Sequence, residues 1–272
     1  MSQSIRPGGF NMLPTIVKNL LIINGLFFLA TFVFQQNFGI NLIEKLGIYY
    51  PTSDKFQVHQ VITHMFMHGG FGHLFFNMFA LWMFGSVLEN VWGPKRFLNY
   101  YLISALGAAG LHLVVNGIEL SVLQSEIETF SNTPNPSDFR DIVASYIPEN
   151  SNYYSQMMKF ANQWEQNGSD QGSQAVAYLN NMQAQFTDRP TVGASGAVFA
   201  LLLGFGYMFP NSLLYIYFLF PIKAKYFVIL YGLFELYAGF SSSAGNIAHF
   251  AHLGGMLFGF ILIKIWGFKS LN

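Results

Sequence analysis

The stretch TVGASGAVFALLLGFGYMF, residues 191–209, decides how this chain is read. It is apolar over nearly the length of a membrane crossing, yet Ser195 stands near its start between Gly193 and Gly196. A second apolar run, 246–266, contains His252. Polar side chains are expensive inside a membrane and usually mark function. A serine and a histidine are therefore both committed to the membrane.

The rest of the chain agrees with that environment. Of 272 residues, 52% are hydrophobic and only 10% are charged, too few charges for a soluble domain of this size. The absence of cysteine excludes a disulfide framework and a cysteine metal site, and the net charge of zero gives no reason to expect nucleic acid. A crossing needs roughly 17 to 25 apolar residues. Six windows qualify: 14–34, 69–91, 97–117, 191–209, 225–241 and 246–266. Residues 210–224 read as a short, partly extended connector. If six helices alternate, Arg6 and Lys18, Lys95 and Arg96, Lys223 and Lys225, and Lys264 and Lys269 fall on one side, which is then cytoplasmic together with both termini.

The expected fold is an all-α membrane protein, a six-helix bundle with an extramembrane insertion between helices three and four. Residues 1–117 carry helices one to three, 118–190 the insertion, and 191–272 helices four to six. The insertion turns abruptly to Asn, Gln, Ser and acids, with Pro134, Pro136 and Pro148 as punctuation. Ser137 and Asp138 look like a helix start, and 153–186 has helical spacing broken near Gly168. A helical insertion and a disordered loop are the alternatives, with Tyr146, Phe160 and Trp164 arguing for packing.

Helices two, four and six enter from the outer face, so equal distances from their starts mean equal depth. At about 1.5 Å per residue, Ser195 lies about 9 Å beyond Arg189 and His252 about 9 Å beyond Asn246. His73 and Asn77 reach a similar depth, one helical turn apart on one face. This layer holds the parts of an acyl-transfer site. Ser195 is the nucleophile and His252 its base, while the Ser195 backbone N–H, His73 and Asn77 supply oxyanion donors. An acid to orient His252 is missing: Glu235, the only carboxylate in the nearby spans, sits on the fifth helix, so a dyad is expected, with Glu235 holding its helix by a hydrogen bond. Gly255 and Gly259 form a small-residue stripe below His252 that admits the helix carrying Ser195 and Gly196.

As a set, GASG at 193–196, AHLGG at 251–255 continuing to Gly259, and HLFFN at 73–77 resemble the rhomboid family of intramembrane serine proteases. Order and spacing agree across helices two, four and six. The resemblance implies Ser195 as nucleophile, His252 as base, His73 and Asn77 in the oxyanion hole, and Phe199 packed on the catalytic imidazole. The implied activity is endoproteolysis of single-pass membrane proteins near the outer boundary of the bilayer, without a cofactor. Two features depart from the family pattern. Residues 35–68 lack a Trp-Arg pair, and the 118–190 insertion is long.

Rival readings remain open at this level. A catalytically inactive relative that binds transmembrane helices keeps the fold without the chemistry, and a transporter would carry polar residues to the midplane and repeated halves. His64 and His68, four apart, have chelating spacing, but no carboxylate or thiolate completes a metal site there and no HExxH pattern exists. His68 is expected to support the outer end of helix two by hydrogen bonding. Ser241, Ser242 and Ser243 read as loop residues at the mouth. With no obvious transit peptide, a bacterial plasma membrane is expected. The oligomeric state is not readable.

Overall fold

The computed structural model describes residues 10–168, 170–216, 220–240 and 247–271. Arg6, Ser241, Ser242, Ser243 and Asn246 lie outside the described residues.

The chain folds as a helical membrane bundle. Helix α1 is Thr15–Phe38, and short helices α2 (Leu42–Leu46) and α3 (Gln60–Thr63) come next, in the connection to the second span. Helix α4 (Phe71–Ala80) passes through a π-helical turn, Leu81–Gly85, into α5 (Ser86–Trp92). Helix α6 (Pro94–Asn132) runs for 39 residues. The insertion adds α7 (Pro136–Tyr146), α8 (Asn152–Asn167) and α9 (Gly172–Thr187). Then come α10 (Ser195–Met208), the antiparallel hairpin β1 (Leu213–Ile216) and β2 (Phe220–Lys223), α11 (Ala224–Phe240) and α12 (Ile247–Ile265).

Six full-length spans were expected, and four segments among the described residues have the length and apolarity to cross: Thr15–Phe38, Phe71–Trp92, Pro94–Asn132 and Ala248–Ile265. Helix α11 has 17 residues. Helix α10 has only 14, about 21 Å at 1.5 Å per residue against a hydrocarbon core of about 30 Å. It is apolar all round and buried on nearly every side, as befits a helix enclosed by others. It is too short to reach both faces, and its first residue is Ser195. The outside of the bundle is covered by apolar side chains such as Phe76, Leu230, Phe234 and Tyr237, in keeping with contact to lipid.

Where charge enters the bundle it is compensated. The buried Glu89 carboxylate accepts from the backbone N–H groups of Ile16 (2.9 Å) and Val17 (2.8 Å), capping the start of α1.

The insertion is helical and has its own apolar core, in which Leu123, Ile127, Phe139, Val143, Ala161 and Leu179 are buried together. Helix α7 starts at Pro136, where the Asn135 side chain accepts from the Asp138 N–H; Ser151 caps α8 in the same way through the Tyr154 N–H. The change of composition at 118 does not break the chain, because α6 continues through it to Asn132.

Candidate active site

The segment entering α10 is pinned before the serine is reached. Ile48 N–H donates to Thr191 C=O (2.9 Å) and Thr191 N–H to Ile48 C=O (2.8 Å), and Gly193 N–H donates to His64 C=O (2.9 Å). Asp188, just upstream, accepts from Ser53 Oγ (2.6 Å) and pairs with Lys55 (3.0 Å), so these partners hold its carboxyl below the usual range. The loop between the first two spans thus fixes the approach to Ser195 by hydrogen bonds from both its backbone and its side chains.

Gly193 has φ +130°, where a side chain is strained. A β-carbon there would also lie 2.8 Å from His73 Cε1 and 3.0 Å from His73 Nε2, with Ser195 Oγ at 3.6 Å. His73 and the serine hydroxyl therefore flank the same backbone atom. Ser195 is the first residue of α10, so its N–H is among those that the helix itself leaves unpaired. Asn77, one turn along α4 from His73, is buried, and its Nδ2 has no hydrogen-bond partner among the described residues. An unpaired buried donor is costly unless something arrives to accept from it. His73 thus lies beside the serine hydroxyl, and Asn77 follows one turn along the same helix.

Helix α12 brings His252 to the same place. A β-carbon on Gly255 would overlap the Gly196 carbonyl, so the two backbones meet without side chains between them. Gly259 repeats the close approach one turn lower, against Ala200 and Tyr100. The His252 ring lies face to face with Phe199, centroids 4.1 Å apart and planes 8° from parallel. Phe199 is one turn after Ser195 on α10.

From the sequence, Glu235 on the fifth helix has no assigned role toward His252. The structure connects them: Glu235 Oε2 accepts from His252 Nδ1–H at 2.9 Å and from His249 Nδ1–H at 2.7 Å. The signal was available in the spacing, since His249 and His252 are three apart and share a helix face, while an acid on a neighbouring apolar helix needs partners. The same three groups have donor atoms within 4.8 Å of one another and so have the spacing of a cation site. Their protons already satisfy the carboxylate.

His68 was expected to hydrogen bond at the top of the second span. Neither of its ring nitrogens has a hydrogen-bond partner among the described residues; the ring packs edge-on to His73 at 5.1 Å. Burial, and then the neighbouring His73, lower its pKa to about 4, and burial lowers that of His64. His64 Nδ1–H donates to Gln60 C=O at 2.8 Å. The unfolded chain protonates these imidazoles near 6.5 and the folded protein resists doing so. Stability is therefore full above that value and is lost as the pH falls, by about 3 kcal/mol for His68 between roughly 6.5 and 4. Thermal unfolding in detergent across that interval should show a shallower pH dependence in His68→Phe; equal slopes would refute the assignment.

A cavity of about 30 Å³ beside Ser195 is lined by His64, His112, Thr191, Gly193, Gly196 and Ala251, among others. That is room for one or two waters among polar partners.

Comparison with known proteins places this site in context. A family model described as the rhomboid domain matches residues 55–122 and 171–267. The chain is 24% identical to "RHOMBOID-like protein 12, mitochondrial" of Arabidopsis thaliana over 88% of this chain and 55% of that one. It is 24% identical to "Rhomboid protein 1, mitochondrial" of Saccharomyces cerevisiae over 73% of this chain and 39% of that one. Against "Rhomboid-like protease 1" of Toxoplasma gondii it is 27% identical over 35% of this chain and 34% of that one. The chain spans about half the length or less of these relatives. The expected bacterial plasma membrane, with cytoplasmic termini, is corrected by the two relatives named as mitochondrial. That expectation rests on the lack of a recognisable transit-peptide pattern, a compositional signal whose absence does not identify a membrane.

Proposed function

The chain belongs to the rhomboid family, and from that premise we propose that it is an intramembrane serine endopeptidase of a mitochondrial membrane that cleaves single-pass membrane proteins. The observation that supports the reading is the close approach of α10 and α12 at Gly196 and Gly255, the residue after Ser195 and one turn after His252, together with Phe199 lying face-on to the His252 imidazole.

Each group has a role. Ser195 Oγ attacks the scissile carbonyl carbon while His252 Nε2 takes the hydroxyl proton. The negative charge that develops on the carbonyl oxygen is met by the Ser195 N–H, His73 and Asn77 Nδ2. The tetrahedral intermediate collapses, the C–N bond breaks, and the proton on His252 passes to the leaving amine. Water from the polar cavity beside Ser195 then hydrolyses the acyl-enzyme, with His252 again as base. Because a helix shields its peptide bonds, the substrate must unwind locally, and small or helix-breaking residues favour that. Ser195 stands at the first residue of α10, so cleavage falls near the membrane boundary from which that helix enters. Residues 118–190 stand outside the membrane as an appended helical module between the two parts of the bundle, 1–117 and 191–272.

A fluorescent fluorophosphonate tests the nucleophile directly. The solubilised protein is expected to label covalently, with the signal lost in both Ser195→Ala and His252→Ala. Equal labelling of all three would sink the proposed pair. A protein that does not label and cleaves no membrane peptide, yet still binds transmembrane helices, would be the inactive relative.

A further inference from the structure

Glu235 lies on an apolar helix, is only 3% exposed, and has two imidazole N–H groups pointed at one of its oxygens. An ionised carboxylate there without partners would cost several kcal/mol, and it would not fix the orientation of anything. With them, it constrains both rings. An ionised carboxylate only accepts, so each histidine must carry its proton on Nδ1, and the lone pair of His252 is left on Nε2. The other degree of freedom is removed by Phe199, which lies parallel to the His252 ring at 4.1 Å. One contact fixes the ring within its plane and the other fixes the plane.

We infer that Glu235 is a positioning residue of the catalytic machinery, the third member of a Ser195–His252–Glu235 arrangement assembled from α10, α12 and α11. The inference rests on the serine–histidine reading above and deepens it. When His252 accepts the Ser195 proton on Nε2, the ring becomes an imidazolium that keeps its Nδ1–H on Glu235. The carboxylate stays ionised and offsets the new positive charge; it takes no proton itself. His249 donates to the same oxygen, so the carboxylate remains partnered throughout. A carboxylate reaching the base from a neighbouring helix changes how the base is held: its geometry depends on α11 staying seated against α12.

The test uses the full chain reconstituted in liposomes with a membrane peptide substrate, with kcat and KM measured separately. Glu235→Gln places an amide N–H where the histidine needs an acceptor and favours the wrong tautomer. It is expected to lower kcat by about 10²- to 10⁴-fold with KM within about 3-fold of wild type. Glu235→Asp, which keeps the charge on a shorter arm, should recover at least tenfold of that loss. If Glu235→Gln does not fold, Glu235→Asp alone decides, by a fall in kcat at unchanged KM and unchanged unfolding temperature. A Glu235→Gln protein that folds and turns over within 3-fold of wild type would overturn the inference. So would activity that is abolished by a chelator and restored by Zn²⁺, since the three donors would then be ligands. Failure of the serine–histidine reading looks different: there, Ser195→Ala keeps its activity whatever happens at Glu235.

Discussion

Cleavage of a spanning substrate is expected to fall by about 10⁵- to 10⁶-fold in Ser195→Ala and by a similar factor in His252→Ala, while the double variant loses no more than either single one. The reason is that the two side chains act as one device. Without the hydroxyl, the imidazole has no proton to remove; without the imidazole, the hydroxyl is a weak nucleophile. What survives in each case is the contribution of substrate binding and of the oxyanion donors, which neither change removes. Losses that multiply in the double variant would mean that serine and histidine act independently, and the proposed chemistry would fail. Unfolding temperature should barely move, because Ser195 is not a core hydrophobe and Ala is tolerated at a helix N-terminal position.

Gly255→Ala is expected to cost about 3 kcal/mol of stability or more and to depress kcat/KM by about 100-fold in whatever protein remains folded. The added methyl overlaps the Gly196 carbonyl, which is backbone and cannot rotate aside. Helices α10 and α12 must therefore separate, and His252 moves away from Ser195 with them. Gly110 on α6 supplies the comparison. It has nothing within 4 Å of a β-carbon, so Gly110→Ala should be neutral or slightly stabilising because alanine narrows the unfolded ensemble. Thermal unfolding and turnover of the two variants side by side give the answer. Wild-type behaviour of Gly255→Ala would mean that the close approach is not what sets the distance between the catalytic side chains.

The two predictions draw on parts of the molecule that were unequally readable beforehand. Ser195, His252, His73 and Asn77 stood out because each is polar inside an apolar run, and hydropathy alone marks that contrast. The helical membrane bundle emerged from the same runs. Span length was less legible. Residues 191–194 continue the apolar character of α10 itself, but they lie in the pinned loop before it, and only tertiary hydrogen bonds from Ile48 and His64 show where the helix begins. Glu235 was visible as an unusual acid, yet its partners are on another helix, and the rotation of α11 about its axis is not encoded in any local pattern. His68 illustrates the opposite error: a histidine at a helix start suggested a hydrogen bond, and packing against His73 took its place.

Helix α6 is 39 residues without interruption, about 58 Å of continuous rod. Its last turns carry Leu123, Ile127 and Phe130 into the core of the insertion, and farther back along the same helix Ala108 lies directly against Gly196 and Gly254. A rod with no joint does not let its two ends move independently. The insertion is in mechanical terms a handle: a push on its far side arrives as a tilt of the wall behind the serine, with no turn in between to absorb it.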